Sequence, residues 1–222
     1  MVAVLVIVTV LALVALDYFW LRHRKARQAA GSPVKLRPLT EAVSRLPEGV
    51  FLQPTYTWSR LEANGEVLLG VHPLLFGLVG PPYRIDVRAA GDRIESSGEL
   101  ARIRRGDRRL IVRSPLSGRI AQVNPALTGE AEWAGVDGDA NGWLYRLVPD
   151  RVADELPRWM VAERAAEWTR AQYARLREYL FGVQHAGALG LAMTDGGDMP
   201  VGILANLDAA AWDGVQRDFL DQ

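Results

Sequence analysis

Between residues 91 and 118 turn residues recur at short intervals: Gly91-Asp92, Ser97-Gly98, Gly106-Asp107, then Ser114-Pro115-Leu116-Ser117-Gly118. The pieces between them are short and alternate apolar with polar residues, which is the pattern of an all-β domain rather than a helical one. The same texture extends from Pro47 to about Val148. Phe51-Leu52, 57–61, 67–71, 83–87 and 110–112 are the clearest strands. Asn64-Gly65 predicts a tight hairpin in which both central residues take positive φ. His72-Pro73 followed by Leu74-Leu75-Phe76-Gly77-Leu78 predicts a short helix or turn opened by its proline.

Outside this β region the chain changes character twice. Residues 2–16 carry no charge, and Asp17 is followed by Tyr18-Phe19-Trp20-Leu21. The run is about 20 residues, the length that crosses the hydrocarbon core as a helix. Arg22-His23-Arg24-Lys25-Ala26-Arg27 follows it, so the positive-inside bias puts the N-terminus outside and the rest in the cytoplasm. That predicts a single-pass protein of the inner (plasma) membrane. A cleavable signal would carry its positive charge before the apolar run. Residues 23–46 read as a basic juxtamembrane stretch and linker, with a short helix capped by Thr40.

After residue 150 the pattern becomes helical. A helix is predicted over 153–181, with Pro157 in its first turn and one stripe formed by Trp159, Ala162, Ala166, Thr169, Tyr173, Leu176 and Leu180. The stripe either packs on the β domain or forms a contact face for a partner helix. Gly182 to Asn206 reads as irregular. A final helix starts at an Asp208 cap, with Leu207 and Trp212 spaced as a hydrophobic staple. The predicted organisation is therefore a transmembrane helix (1–22), a linker (23–46), a β domain (47–150) and a helical extension (151–222).

Bulk properties exclude several classes of function. The chain has 222 residues, formal net charge zero and no cysteine. Zero charge gives no global field toward nucleic acid, and the lack of cysteine excludes disulfides, thiolate metal sites and cysteine nucleophiles. His23, His72 and His185 lack metal-ligand spacing. Asp137 and Asp139 lie in a Gly-rich loop without the remaining ligands of a calcium site. No nucleophile elbow, phosphate loop or dinucleotide fingerprint occurs. The expectation is no enzyme, no catalytic residues, no metal and no cofactor.

Ordered landmarks carry a family resemblance. Leu46-Pro47-Glu48-Gly49, Tyr56-Thr57-Trp58, Leu69-Gly70-Val71-His72, Ser114-Pro115-Leu116-Ser117-Gly118-Arg119-Ile120 with Val123-Asn124, and Asn141-Gly142-Trp143-Leu144 resemble the glycine cleavage system H protein over about 100 residues. The resemblance implies a barrel-sandwich hybrid, two small β-sheets with a carrier hairpin exposed at one end. In such carriers a lysine at the hairpin turn is modified with lipoate or biotin. Eight residues before Pro115, where these families place it, stands Asp107. The only lysines are Lys25 and Lys35, and arginine cannot supply the primary amine that a lipoyl amide needs.

The hairpin is instead ringed by Arg102, Arg104, Arg105, Arg108, Arg109 and Arg113. Solvated charges on an exposed turn, a docking knob for an acidic protein surface, and a phosphate contact all fit this cluster. A nucleic-acid surface is disfavoured because no aromatic platform is interleaved. The candidate docking residues are Arg104, Arg105, Asp107, Arg108 and Arg109 at the tip, with Trp159, Tyr173 and Leu176 on the helical stripe. The functional expectation is a non-lipoylated, membrane-anchored structural or docking subunit of a larger complex. The alternatives are an accessory of glycine cleavage or another lipoate-dependent system, and an export-type membrane adaptor.

Overall fold

The computed structural model describes Leu39 and residues 49–127, 142–186 and 198–221. The predicted membrane helix, the Thr40 cap and the linker around it (Leu39 apart), both lysines and the Asp137/Asp139 loop lie outside the described residues. Among the described residues no helix is long and apolar enough to cross a membrane. Residues Arg37–Gln222 cluster as one unit.

Nine strands among the described residues build this unit: β1 Phe51–Gln53, β2 Thr57–Leu61, β3 Val67–Val71, β4 Arg84–Val87, β5 Arg93–Ile94, β6 Glu99–Arg105, β7 Arg108–Arg113, β8 Gly118–Val123 and β9 Trp143–Pro149. They form a six-stranded sheet in the order β1-β2-β3-β9-β8-β5 and a three-stranded sheet β4-β6-β7. Leu69, Val71, Ile103, Leu110, Val112, Ile120 and Leu147 are buried in one core cluster shared by the two sheets. The fold is therefore a mainly β sandwich, with helices concentrated at the C-terminal end.

β3 is buried at all five positions, because both of its faces are covered. Leu68 belongs to a second cluster with Leu52, Trp58, Met160 and Ala165, while Leu69 joins the sandwich core. A strand covered on both faces reads as a continuous apolar run, which explains Val67-Leu68-Leu69. The β2–β3 turn differs from the expectation of two positive-φ residues. Only Gly65 has positive φ (84°), and Gly65 N–H donates to Glu62 O at 3.0 Å. An ordinary turn closed by one left-handed glycine satisfies the twist of the hairpin.

Helix α1 (Pro73–Val79) begins at Pro73 and is capped by His72, whose Nδ1 accepts the Leu74 N–H at 3.0 Å. After β9 the chain forms a four-residue helix α2 (Val152–Glu155) and a 3-10 turn (Leu156–Arg158), then helix α3 (Ala162–Ala186). The single helix predicted over 153–181 is thus interrupted. Met160 instead exchanges both backbone hydrogen bonds with Leu52, each 2.8 Å. This extends the edge of β1, and it outweighs helical continuity because it satisfies edge groups that would otherwise lie buried.

The restart at Ala162 shifts the apolar stripe. Ala165, Thr169, Tyr173, Leu176 and Leu180 are buried, whereas Ala162 and Ala166 are exposed. Helix α4 (Ala209–Val215) is capped by Asp208, whose Oδ1 accepts Ala211 N–H at 2.9 Å. It continues into a single π-turn over Gln216–Leu220. Trp212 Nε1 donates to Leu204 O at 2.8 Å, and Trp212, Val215 and Phe219 are buried. The C-terminal segment therefore folds back on its own chain.

Candidate functional site: the β6–β7 hairpin

The hairpin turns over Gly106-Asp107, with Arg105 opposite Arg108. Gly106 has φ 58°. A glycine at the first central position of a two-residue loop matches the right-handed twist of the strands it joins. Gly106 and Asp107 are both exposed, so the tip projects from the sandwich.

The strand period divides the arginines between two faces. Ala101 and Ile103 face the core, and Arg105 follows them. Its guanidinium folds onto the end of α1 and donates to Val79 O at 2.7 Å and also to Gly80 O. A cation on the last carbonyls of a helix is favourable, while burial lowers the Arg105 pKa from its usual value. The segment around Gly202 closes this corner. A Cβ on Gly80 would lie 2.3 Å from Gly202 Cα, and Gly202 N–H donates to Gly77 O at 2.7 Å. Arg105 is thus a clamp that holds the base of the tip, not a free contact residue.

On the solvent face three arginines stand directly opposite one another: Arg84 of β4, Arg104 of β6 and Arg109 of β7. The next row is Asp86, Arg102 and Ile111. Arg104 pairs with Asp86 at 2.7 Å, and Arg102 with Glu99 at 2.8 Å. Arg84, Arg108 and Arg109 form no ion pair among the described residues. Like charges directly opposite in a sheet are destabilising, so this row keeps an uncompensated positive surface beside the tip.

The outer edge of β7 is closed by the C-terminal segment. Ile111 N–H donates to Gln216 Oε1 at 2.7 Å, and Gln216 Nε2 donates to Ile111 O at 3.2 Å. Arg113 pairs with Asp221 at 2.7 Å two residues further on. The exit from the hairpin is also fixed. Ser114 is buried, its Oγ donates to Leu116 O at 2.7 Å, and Ser117 Oγ accepts Ser96 N–H at 2.8 Å.

The sequence-predicted docking residues therefore separate. Arg104, Asp107, Arg108 and Arg109 come together at or beside the exposed tip, and Arg105 is turned inward. Trp159, Tyr173 and Leu176 are buried, Leu176 completely. Trp159 packs on Phe51 with ring centroids 5.1 Å apart. Tyr173 Oη donates to Asp198 Oδ1 at 2.6 Å and accepts Met199 N–H at 3.1 Å. Burial, with Asp198 beside it, pushes the Tyr173 hydroxyl up to about 12. These three residues are core of this chain and cannot form a second contact face, because other parts of the same chain cover them.

Sequence reasoning missed Arg84, Gln216 and Asp221. Arg84 was visible only as one residue of a strand, and the β4–β6 register is what places it in the arginine row. Among the described residues no group of three or more His, Asp or Glu side chains could hold a metal ion. His72 is fully buried and committed to structure: its Nε2 lies 3.2 Å from Thr169 Oγ1.

Comparison with known proteins adds the family. A family model described as "Glycine cleavage H-protein" matches residues 51–172. The glycine cleavage system H protein of Psychrobacter cryohalolentis is 27% identical over 112 residues, 50% of this chain and 89% of the relative. That of Stenotrophomonas maltophilia is 28% identical over 125 residues, 56% of this chain and 95% of the relative. Among solved structures, a glycine cleavage system H protein from Mycobacterium marinum aligns with TM-score 0.46 and 17% identity, covering 55% of this chain and 98% of that one. The span matched by the family model contains both sheets and ends within α3, before the segment that closes β7. The chain belongs to the glycine cleavage H-protein family.

Proposed function

We propose that this protein is a membrane-anchored H-protein-like subunit that carries no lipoyl group and works by docking, not by group transfer or catalysis. One observation carries the reading. The exposed hairpin tip bears Asp107 eight residues before Pro115, and no lysine follows residue 35. A carboxylate cannot form the amide that attaches a swinging arm. The apolar run at 2–16 and the basic stretch after residue 21 support an inner-membrane anchor with the β domain on the cytoplasmic side.

The tip and the Arg84–Arg104–Arg109 row supply the contact surface in this reading. Their charge fits an acidic face on a protein partner in a larger complex. Such a surface speeds encounter and sets register more than it adds affinity. Partner association should therefore weaken with salt and with Arg104→Gln/Arg108→Gln/Arg109→Gln. An interaction indifferent to both would contradict the docking role of this face. Nucleic acid is a poor fit, since no aromatic side chain interrupts the arginine row.

The second reading is an accessory of glycine cleavage or of another lipoate-dependent system. It is favoured by the relatives, which are named as glycine cleavage system H proteins. Binding of the purified chain to a glycine cleavage enzyme would select it. Failure to bind any such enzyme would leave a docking subunit of a different assembly.

A further inference from the structure

The two edges of the three-stranded sheet are treated differently by this chain. At β7 the backbone groups of Ile111 are occupied by Gln216, so they point away from β6. Backbone direction alternates along a strand and reverses across each antiparallel pair. Ile111 stands opposite Arg102, and Arg102 opposite Asp86. The backbone groups of Arg102 therefore face β4, and those of Asp86 face β6. It follows that Ile85 and Val87 direct their N–H and C=O away from β6, on the side where no strand pairs with β4 among the described residues. No backbone hydrogen bond reaches them from that side among the described residues.

The side chains on this edge are self-complementary. Arg84 and Asp86 flank Ile85 on the solvent face, one cation and one anion. Edge strands resist pairing when they carry a single sign of charge, and this one carries both. If a second β4 lies antiparallel with Ile85 opposite Ile85, the two isoleucines exchange a pair of backbone hydrogen bonds. Each Arg84 then stands opposite Asp86 of the other copy, in the closely spaced type of pair. Arg84 forms no ion pair within the chain among the described residues, and Asp86 already meets Arg104 from the opposite side. β4 ends at Val87, and Arg88 N–H donates to Tyr145 Oη at 2.7 Å, so Ile85 is the outward-facing residue with β4 neighbours on both sides.

We propose that the β4 edge, unpaired among the described residues, is a self-association surface, on which two copies of this chain form a two-fold dimer with one sheet continuous across both copies and reciprocal Arg84–Asp86 pairs. Such an interface uses the same patch on both subunits. It shares Arg84 with the arginine row beside the hairpin tip, and it does not depend on whether the tip itself carries a cofactor.

The test uses the full chain produced with two different affinity tags in one cell and solubilised in mild detergent, capturing one tag and quantifying the other. Wild-type copies co-capture. Arg84→Glu alone sets two carboxylates opposite each other at both sites, and Asp86→Arg alone sets two guanidinium groups there. Each should lower self-capture by about tenfold, since attraction becomes repulsion at both sites. Mixing an Arg84→Glu copy with an Asp86→Arg copy sets a carboxylate opposite a guanidinium at both sites and should restore capture between the two copies; in the Arg84→Glu/Asp86→Arg double variant paired with itself, both sites likewise regain opposite charges. The double variant, whose introduced carboxylate stands opposite Arg104 within the chain, should therefore restore self-capture. A double variant paired with wild type again sets like charges opposite each other at both sites and should capture as poorly as the single variants. Absence of wild-type co-capture, single variants that capture like wild type, or a folded double variant that fails to restore capture would each overturn the proposal.

Discussion

The carboxamide of Gln216 occupies both backbone groups of Ile111, at 2.7 and 3.2 Å, and so serves as one rung of a missing fourth strand on the β4-β6-β7 sheet. The segment that delivers it lies beyond the part of the chain matched by the H-protein family. The hairpin strand that leads away from the tip is thereby tied to the C-terminal helix, with Arg113–Asp221 as a second tie. Gln216→Ala leaves two edge groups without a protein partner and should cost about 1–3 kcal/mol. The cost is read by denaturant unfolding, and amide exchange at Ile111 should accelerate more than exchange in β9.

His72 predicts an acid-sensitive fold. Its Nδ1 caps α1 and its Nε2 meets Thr169 of α3, so the neutral ring is the folded form. Burial lowers its pKa from 6.5 to about 3. The unfolded chain takes up this proton near pH 6.5 and the folded chain does not. The stability contributed by His72 is therefore complete above about pH 6.5 and is lost as pH falls toward 3, by about 1.4 kcal/mol per unit within that window. His72→Asn keeps a capping acceptor and removes the titration, so the stability gap between wild type and variant should narrow as pH falls from about 6.5 to about 4.

The separation of core from surface among the candidate docking residues predicts opposite behaviour for two substitutions. Leu176→Ala empties a fully buried site and should cost about 2–5 kcal/mol. Arg109→Gln, on the exposed row, should change stability by no more than about 0.5 kcal/mol while weakening partner association. Reversal of these two results would place the contact face on α3 instead.

Most of the β architecture could be read from turn chemistry, and the reasons for the failures are physical. Gly106-Asp107, the Ser114-to-Gly118 exit and the Asp208 cap each act through local backbone preferences, so a short window of residues contains the information. The break at Trp159–Met160 does not. It exists because Met160 pairs with Leu52, far away in sequence, and a helical period runs through it undisturbed. Gln216 has the same character: on a helix it reads as a solvated residue, and only the register of β7 reveals its partner. Arg105 reads like its neighbours in the sequence, because its turn toward α1 depends on where the strand begins.

Asp107→Lys tests whether the frame around the tip is still that of a carrier. The exposed turn should accept the new side chain without loss of stability beyond about 0.5 kcal/mol. Supplied with a lipoate-attaching enzyme, the variant should gain a lipoyl adduct on the introduced lysine. A stable, folded variant that stays unmodified would show that the surrounding surface no longer presents the turn as a carrier does.

Docking without an arm is the role proposed for the wild-type chain, and the mass of the intact protein recovered from its native cells tests it. A single species with no lipoyl or biotinyl adduct is expected. A mass increase matching either group on the wild-type chain would contradict it.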